Sequence, residues 1–158
     1  MTERSVTHTN FTIERTYDAA PALVFAAFAT REAKAKWFGG PADKWKELIR
    51  EFDFRVGGRE RVSGKWAEGP VSHFNCHYHD IVPNERIVYS YDMKLNDKPI
   101  SVSLATIQFK PAGRGTTVVV TEQGAFLDDY EDNGSRERGT GGLLDRLGES
   151  LKRESASS

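Results

Sequence analysis

The stretch Gly139 to Lys152, GTGGLLDRLGESLK, decides how the rest of the chain has to be read. Leu143, Leu144, Leu147 and Leu151 fall at i, i+1, i+4 and i+8, which is one face of a 3.6-residue period, while Asp145, Arg146, Glu149 and Lys152 take the other. The pattern predicts a C-terminal helix with one apolar stripe. No second long helical pattern precedes it, so the expected partner is the face of an antiparallel sheet. A helix across a curved sheet tends to leave a space, and the sequence points to that space without saying what fills it.

Upstream, the period changes from helical to about two. Asn10 to Tyr17 alternates as a strand with one buried face. Asp18 is placed to cap a short helix through AAPALVFAAF, with Pro21 in its first turn, and Thr30 to cap a second, REAKAKWF, which Gly39-Gly40-Pro41 ends. From Lys46, Leu48, Arg50, Phe52 and Phe54 alternate with Ile49, Glu51, Asp53 and Arg55. Strands are then predicted for Arg59 to Trp66, Val71 to Val82, Glu85 to Met93, Ile100 to Lys110 and Thr116 to Gln123, separated by turns rich in Gly, Pro, Asn and Asp. The acidic segment Leu127 to Arg138 reads as a loop. The class is therefore α+β, with about seven antiparallel strands, two short helices after the first strand and the long helix closing the concave side.

Composition narrows the role. The 158 residues are 38% hydrophobic and 28% charged, with a formal net charge of -1. That is the make-up of one globular domain, residues 1–158 with a core from 10 to 152, and it lacks the basic footprint of a nucleic-acid binder. No apolar run reaches the roughly 18 residues of a membrane span, and MTERSVTHTN has no signal-peptide apolar core, so a cytoplasmic location is expected. Cys76 is the single cysteine, which excludes an intramolecular disulfide.

Four short motifs, in order, carry a resemblance. They are Lys36-Trp37-Phe38-Gly39-Gly40-Pro41, Asp53-Phe54-Arg55-Val56-Gly57-Gly58, Asp80-Ile81-Val82-Pro83-Asn84-Glu85-Arg86-Ile87-Val88-Tyr89, and Gly115-Thr116 with Leu144-Asp145-Arg146-Leu147. From Phe11 to Leu151 the chain resembles the START-like or SRPBCC superfamily, and more narrowly its branch named for the activator of the Hsp-90 ATPase. The resemblance implies a helix-grip fold with an internal cavity for a hydrophobic or aromatic small molecule. The sequence departs from the pattern at Gly139-Thr140-Gly141-Gly142, where related proteins often place a large aromatic; a wider cavity mouth is the expectation. A co-chaperone of this branch carries a further N-terminal domain that these residues do not include, so ligand binding is expected in preference to chaperone activation.

Strand parity sends Phe74, Cys76 and Tyr78 to one face and His73, Asn75, His77 and His79 to the other, with Ile87, Tyr89, Tyr91 and Met93 matching the inward set. Trp37, Phe38, Phe52, Phe54, Trp66, Phe74, Tyr78, Tyr89, Tyr91, Leu143 and Leu147 are the candidate cavity residues. Glu122 joins them because it shares parity with Val118 and Val120, and a buried carboxylate can anchor a ligand or act as a general acid. No catalytic residue is assigned beyond Glu122 as a weak candidate. No metal or cofactor is assigned either, since the histidine row falls on the outward face and no Gly-rich phosphate loop precedes a helix. Three roles remain open: binding of a small hydrophobic molecule, a cyclase-, aromatase- or hydrolase-type enzyme using Glu122 with a tyrosine, and interaction with a chaperone or regulator. A homodimer through an edge strand fits a sheet with exposed edges.

Overall fold

Alternating apolar residues produce the sheet, and the leucine stripe produces the helix that covers it. The computed structural model describes residues 3–157. Its elements are β1 (Val6–Tyr17), α1 (Pro21–Ala29), α2 (Arg31–Ala35), β2 (Trp45–Phe52), β3 (Arg59–Trp66), β4 (Val71–Val82), β5 (Arg86–Leu95), β6 (Lys98–Ala112), β7 (Gly115–Leu127) and α3 (Ser135–Ser157). The seven strands form one curved antiparallel sheet in the order β1-β7-β6-β5-β4-β3-β2. β2 to β7 are a meander. β1 closes on β7 with an unbroken register from Val6 opposite Leu127 to Tyr17 opposite Thr116, which leaves β1 and β2 as the edges.

The helix stripe behaves as its spacing predicts. Leu144 and Leu147 are buried against the sheet, with Leu143 and Leu151 at the margins of the core. Burying four leucines is worth roughly 1.5–3 kcal/mol for each one fully covered. The Tyr17 hydroxyl donates to the Leu144 carbonyl at 2.7 Å, and Gly148 lets α3 approach the Tyr17 ring closely. These contacts hold the middle of the helix down on β1.

Four local expectations change. α3 begins at Ser135, ahead of Gly139, because the Asp132 carboxylate accepts from the Arg136 amide at 3.0 Å and from the Ser135 hydroxyl at 2.9 Å, and so caps the first turn. The acidic connection therefore shrinks to 128–134. Asp18 does not cap α1; Ala20 holds that position with no side-chain bond, and Pro21 sets the first turn alone. Thr30 does cap α2, accepting from the Ala33 amide at 3.1 Å. In β2 a bulge between Glu47 and Ile49 turns Leu48 out to solvent, so the parity expected of Leu48 fails while Arg50 and Phe52 keep theirs.

Candidate functional site

A cavity of about 720 Å³ lies between the first half of α3, the segment joining α2 to β2, and the inner face of the sheet. Trp37, Phe38, Trp66, Phe74, Tyr89, Tyr91, Glu122 and Leu143, all expected inside from the sequence, line it. Aromatic side chains dominate because β4 and β5 point every second residue inward: Phe74 packs on Tyr91 with ring centroids 4.9 Å apart, and Phe38 packs edge-on to Phe74 at 5.0 Å.

Four expected residues lie elsewhere, each for a packing reason. Phe52 and Phe54 stack on one another at 5.7 Å, and Phe54 also meets Phe25 of α1, so both fill the space under the short helices. Tyr78 turns its hydroxyl away into a buried ionic cluster. Leu147 is fully buried, sealed between α3 and the sheet. Trp45 was not expected and is part of the wall; its indole lies flat against Gly64 and Gly40, where a side chain on either glycine would collide with it. The glycine pair after Phe38 and the inward parity of Gly64 were the available signals.

The cavity has two polar ends. At one, the Tyr91 hydroxyl donates to Glu122 Oε1, and Arg136 of α3 donates from Nη1 to the Tyr91 hydroxyl at 3.2 Å and from Nη2 to Ser101 Oγ at 2.9 Å. Arg136 also lies over the Tyr91 and Phe126 rings. Glu122 is only 5% exposed, and burial raises its pKa, an effect that the Tyr91 hydrogen bond and the Arg136 charge partly oppose. Burial likewise raises the Tyr91 and Tyr89 pKa values, so both phenols are neutral donors. Arg136 escaped sequence reasoning because it fell in the presumed loop; the Asp132 to Ser135 spacing was the signal for an earlier helix start.

At the other end Lys34 Nζ, on the wall, donates to Glu60 Oε1 at 2.6 Å, and the Tyr78 hydroxyl donates to the same oxygen at 2.6 Å. Lys34 and Glu60 are 3% and 1% exposed. Nζ stands 4.3 Å from the centre of the Phe38 ring. Glu60 shares the parity of Val62, Gly64 and Trp66 and so was legible as inward, whereas Lys34 in the charged run REAKAK was not. Beside them Cys76 is buried and its thiol is pushed up to about 12 by desolvation, which removes it as a nucleophile.

The histidines stay on the outer face. His73 shares a hydrogen bond with Ser63 at 2.8 Å and His79 with Ser90 at 2.7 Å, each with a different serine, and among the described residues no three His, Cys, Asp or Glu side chains gather as a metal site. A second depression of about 710 Å³ runs outside along β1 and the start of α3, but its charges are on the surface and Arg15 already pairs with Asp145 at 2.8 Å. Among the described residues no helix is long and apolar enough to cross a membrane.

Glu122 sets a pH dependence. Its folded form holds a proton more tightly than the unfolded chain does, so its contribution to stability is complete below the ordinary glutamate value of 4.5 and is lost as pH rises through the higher folded value. Glu122→Gln keeps an acceptor for Tyr91 and cannot ionise. Its melting temperature relative to the unaltered protein is expected to climb as pH rises above the ordinary glutamate value of 4.5, measured by calorimetry.

Sequence and structure comparisons agree with this architecture. Residues 18–152 match the family described as Activator of Hsp90 ATPase homolog 1-like protein. A protein of known structure from Rhizobium leguminosarum is 45% identical, with a TM-score of 0.92 over 96% of this chain and 99% of that one. The Mll3558 protein from Rhizobium loti is 42% identical, with a TM-score of 0.84 over 92% and 99% of the two chains. Protein CV1439 from Chromobacterium violaceum, at 25% identity, has a TM-score of 0.73 over 90% and 96%. No curated protein matches the chain. With the family pattern reaching from Asp18, just before α1, to Lys152 in α3, the chain belongs to the Activator of Hsp90 ATPase homolog 1-like family, of the SRPBCC type.

Proposed function

We propose that the protein binds a small hydrophobic or aromatic molecule in the cavity between α3 and the sheet. The observation that carries this reading is the lining itself: a volume of about 720 Å³, walled by Trp37, Phe38, Trp45, Phe74 and Leu143, with a few polar groups converging on it. That combination of size, apolar wall and sparse polar anchors is what small-molecule sites have in common. Membership in a family whose fold commonly holds hydrophobic ligands supports the same reading.

The hydrogen bond between Tyr91 and Glu122 favours a second reading, acid or base catalysis by that pair. It ranks second because Arg136 holds the same phenol at 3.2 Å and supplies a countercharge, an arrangement suited to anchoring a ligand. Binding is tested through the protein's three tryptophans, Trp37, Trp45 and Trp66, all of which line the cavity. Titration with uncharged 2-naphthylmethanol is expected to give a saturable change in tryptophan fluorescence. A signal that stays flat up to the solubility limit of the probe would contradict the reading.

A further inference from the structure

Arg136 is an unusual guest in an aromatic cavity. A guanidinium has five N–H donors. Three go to neutral hydroxyls, those of Tyr91 and Ser103 from Nη1 and that of Ser101 from Nη2, and no carboxylate of the described residues forms an ion pair with it. The remaining donors have no described partner, and the residue lines the cavity. Tyr89 lies between the two polar ends, 7% exposed and also on the wall, and its hydroxyl makes no hydrogen bond to any described residue. Glu122 gives Oε1 to Tyr91, and its Oε2 has no described donor. The cavity thus presents a half-paired cation, a free phenol and a free carboxyl oxygen to whatever enters.

Resting on the binding role argued above, we propose that the cavity takes an aromatic carboxylic acid, its carboxylate held by Arg136 and Tyr89, and that each acid bound brings one proton from solvent onto Glu122.

The charges require the proton. While Glu122 is ionised it offsets Arg136, and an incoming carboxylate meets a second negative group in a low-dielectric space. Once Glu122 takes up a proton the pair carries one positive charge, and its O–H can donate to the ligand. The other groups around Glu122 cannot serve. Its strand partners are Phe11 on β1 and Ala105 on β6, neither of them charged. β5 contributes Tyr89 and Tyr91, both kept neutral by burial, and α3 contributes Arg136. On α2, Lys34 is matched by Glu60 at 2.6 Å. Desolvation has already moved Glu122 toward its neutral form, which makes this uptake easier.

The test is titration calorimetry with 2-naphthoic acid, 2-naphthylmethanol and 2-naphthylmethylamine, in buffers of differing ionisation enthalpy. The acid is expected to bind tightest and, above the Glu122 titration, to take up close to one proton and to weaken about tenfold per pH unit. Glu122→Gln should remove that pH dependence. Arg136→Gln should weaken the acid by about tenfold or more, the scale of a charge-assisted hydrogen bond, and leave the alcohol little changed; Arg136→Lys should recover part of the loss. Equal, pH-independent binding of alcohol and acid would overturn the proposal and leave the binding role standing, and so would tighter binding of the amine. Failure of all three probes would overturn both.

Discussion

Lys34→Ala is expected to cost about 3–5 kcal/mol of folding stability, the usual price of leaving one partner of a buried ion pair alone. The truncation removes the short 2.6 Å contact to Glu60 Oε1 and leaves a carboxylate that is 1% exposed with a single remaining donor, the Tyr78 hydroxyl. Glu60 Oε2 already has no hydrogen-bond partner, so nothing nearby can take up the load. Against the roughly 5–15 kcal/mol that holds a typical domain together, such a loss is large. Urea denaturation measures it directly. The paired change Lys34→Met with Glu60→Leu removes both charges and is expected to recover most of the loss; if it did not, the cluster's value would lie in packing and not in charge.

Gly64→Ala is the second large effect. A Cβ on Gly64 would overlap Trp45 Cε2 and Nε1, and one on Gly40 would stand 2.5 Å from Trp45 Cβ, so Trp45 is packed closely against both glycines. It must leave the wall. Overpacking of this kind costs roughly 1–3 kcal/mol. Because Trp45 is a lining residue, the same substitution is expected to weaken the naphthalene probes and shift tryptophan emission to the red. Unchanged emission and affinity would mean that the indole does not form part of the site.

The architecture was legible because its signals are periodic. Alternation at Phe74, Cys76 and Tyr78 and the spacing of Leu144 and Leu147 each translate directly into a buried face, and each is buried. The inward placement of Glu122 followed from parity in the same way. What escaped were residues placed by local chemistry with no period to mark them. Lys34 sits on a five-residue helix too short to show a stripe, and its charge gives no hint that Glu60 waits beneath it. Arg136 depended on where α3 starts; it fell in the acidic segment read as a loop ahead of Gly139, whereas the Asp132 cap starts the helix at Ser135. Leu48 was lost to a bulge, which a single sequence does not announce. Phe52, Phe54 and Tyr78 share a face with cavity residues but lie beneath α1 and α2, so parity alone cannot separate lining from core.

The most direct measurement is a two-dimensional amide spectrum of isotope-labelled protein titrated with 2-naphthylmethanol. The indole N–H signals of Trp37, Trp45 and Trp66 come from the cavity wall, Trp37 on the α2–β2 segment and Trp45 and Trp66 as cross-strand partners on β2 and β3. All three are expected to move together along one saturable curve, while the amides of His77 and His79 on the outer face stay still. Movement confined to the outer face, with the three indoles unchanged, would contradict a ligand site beneath the helix.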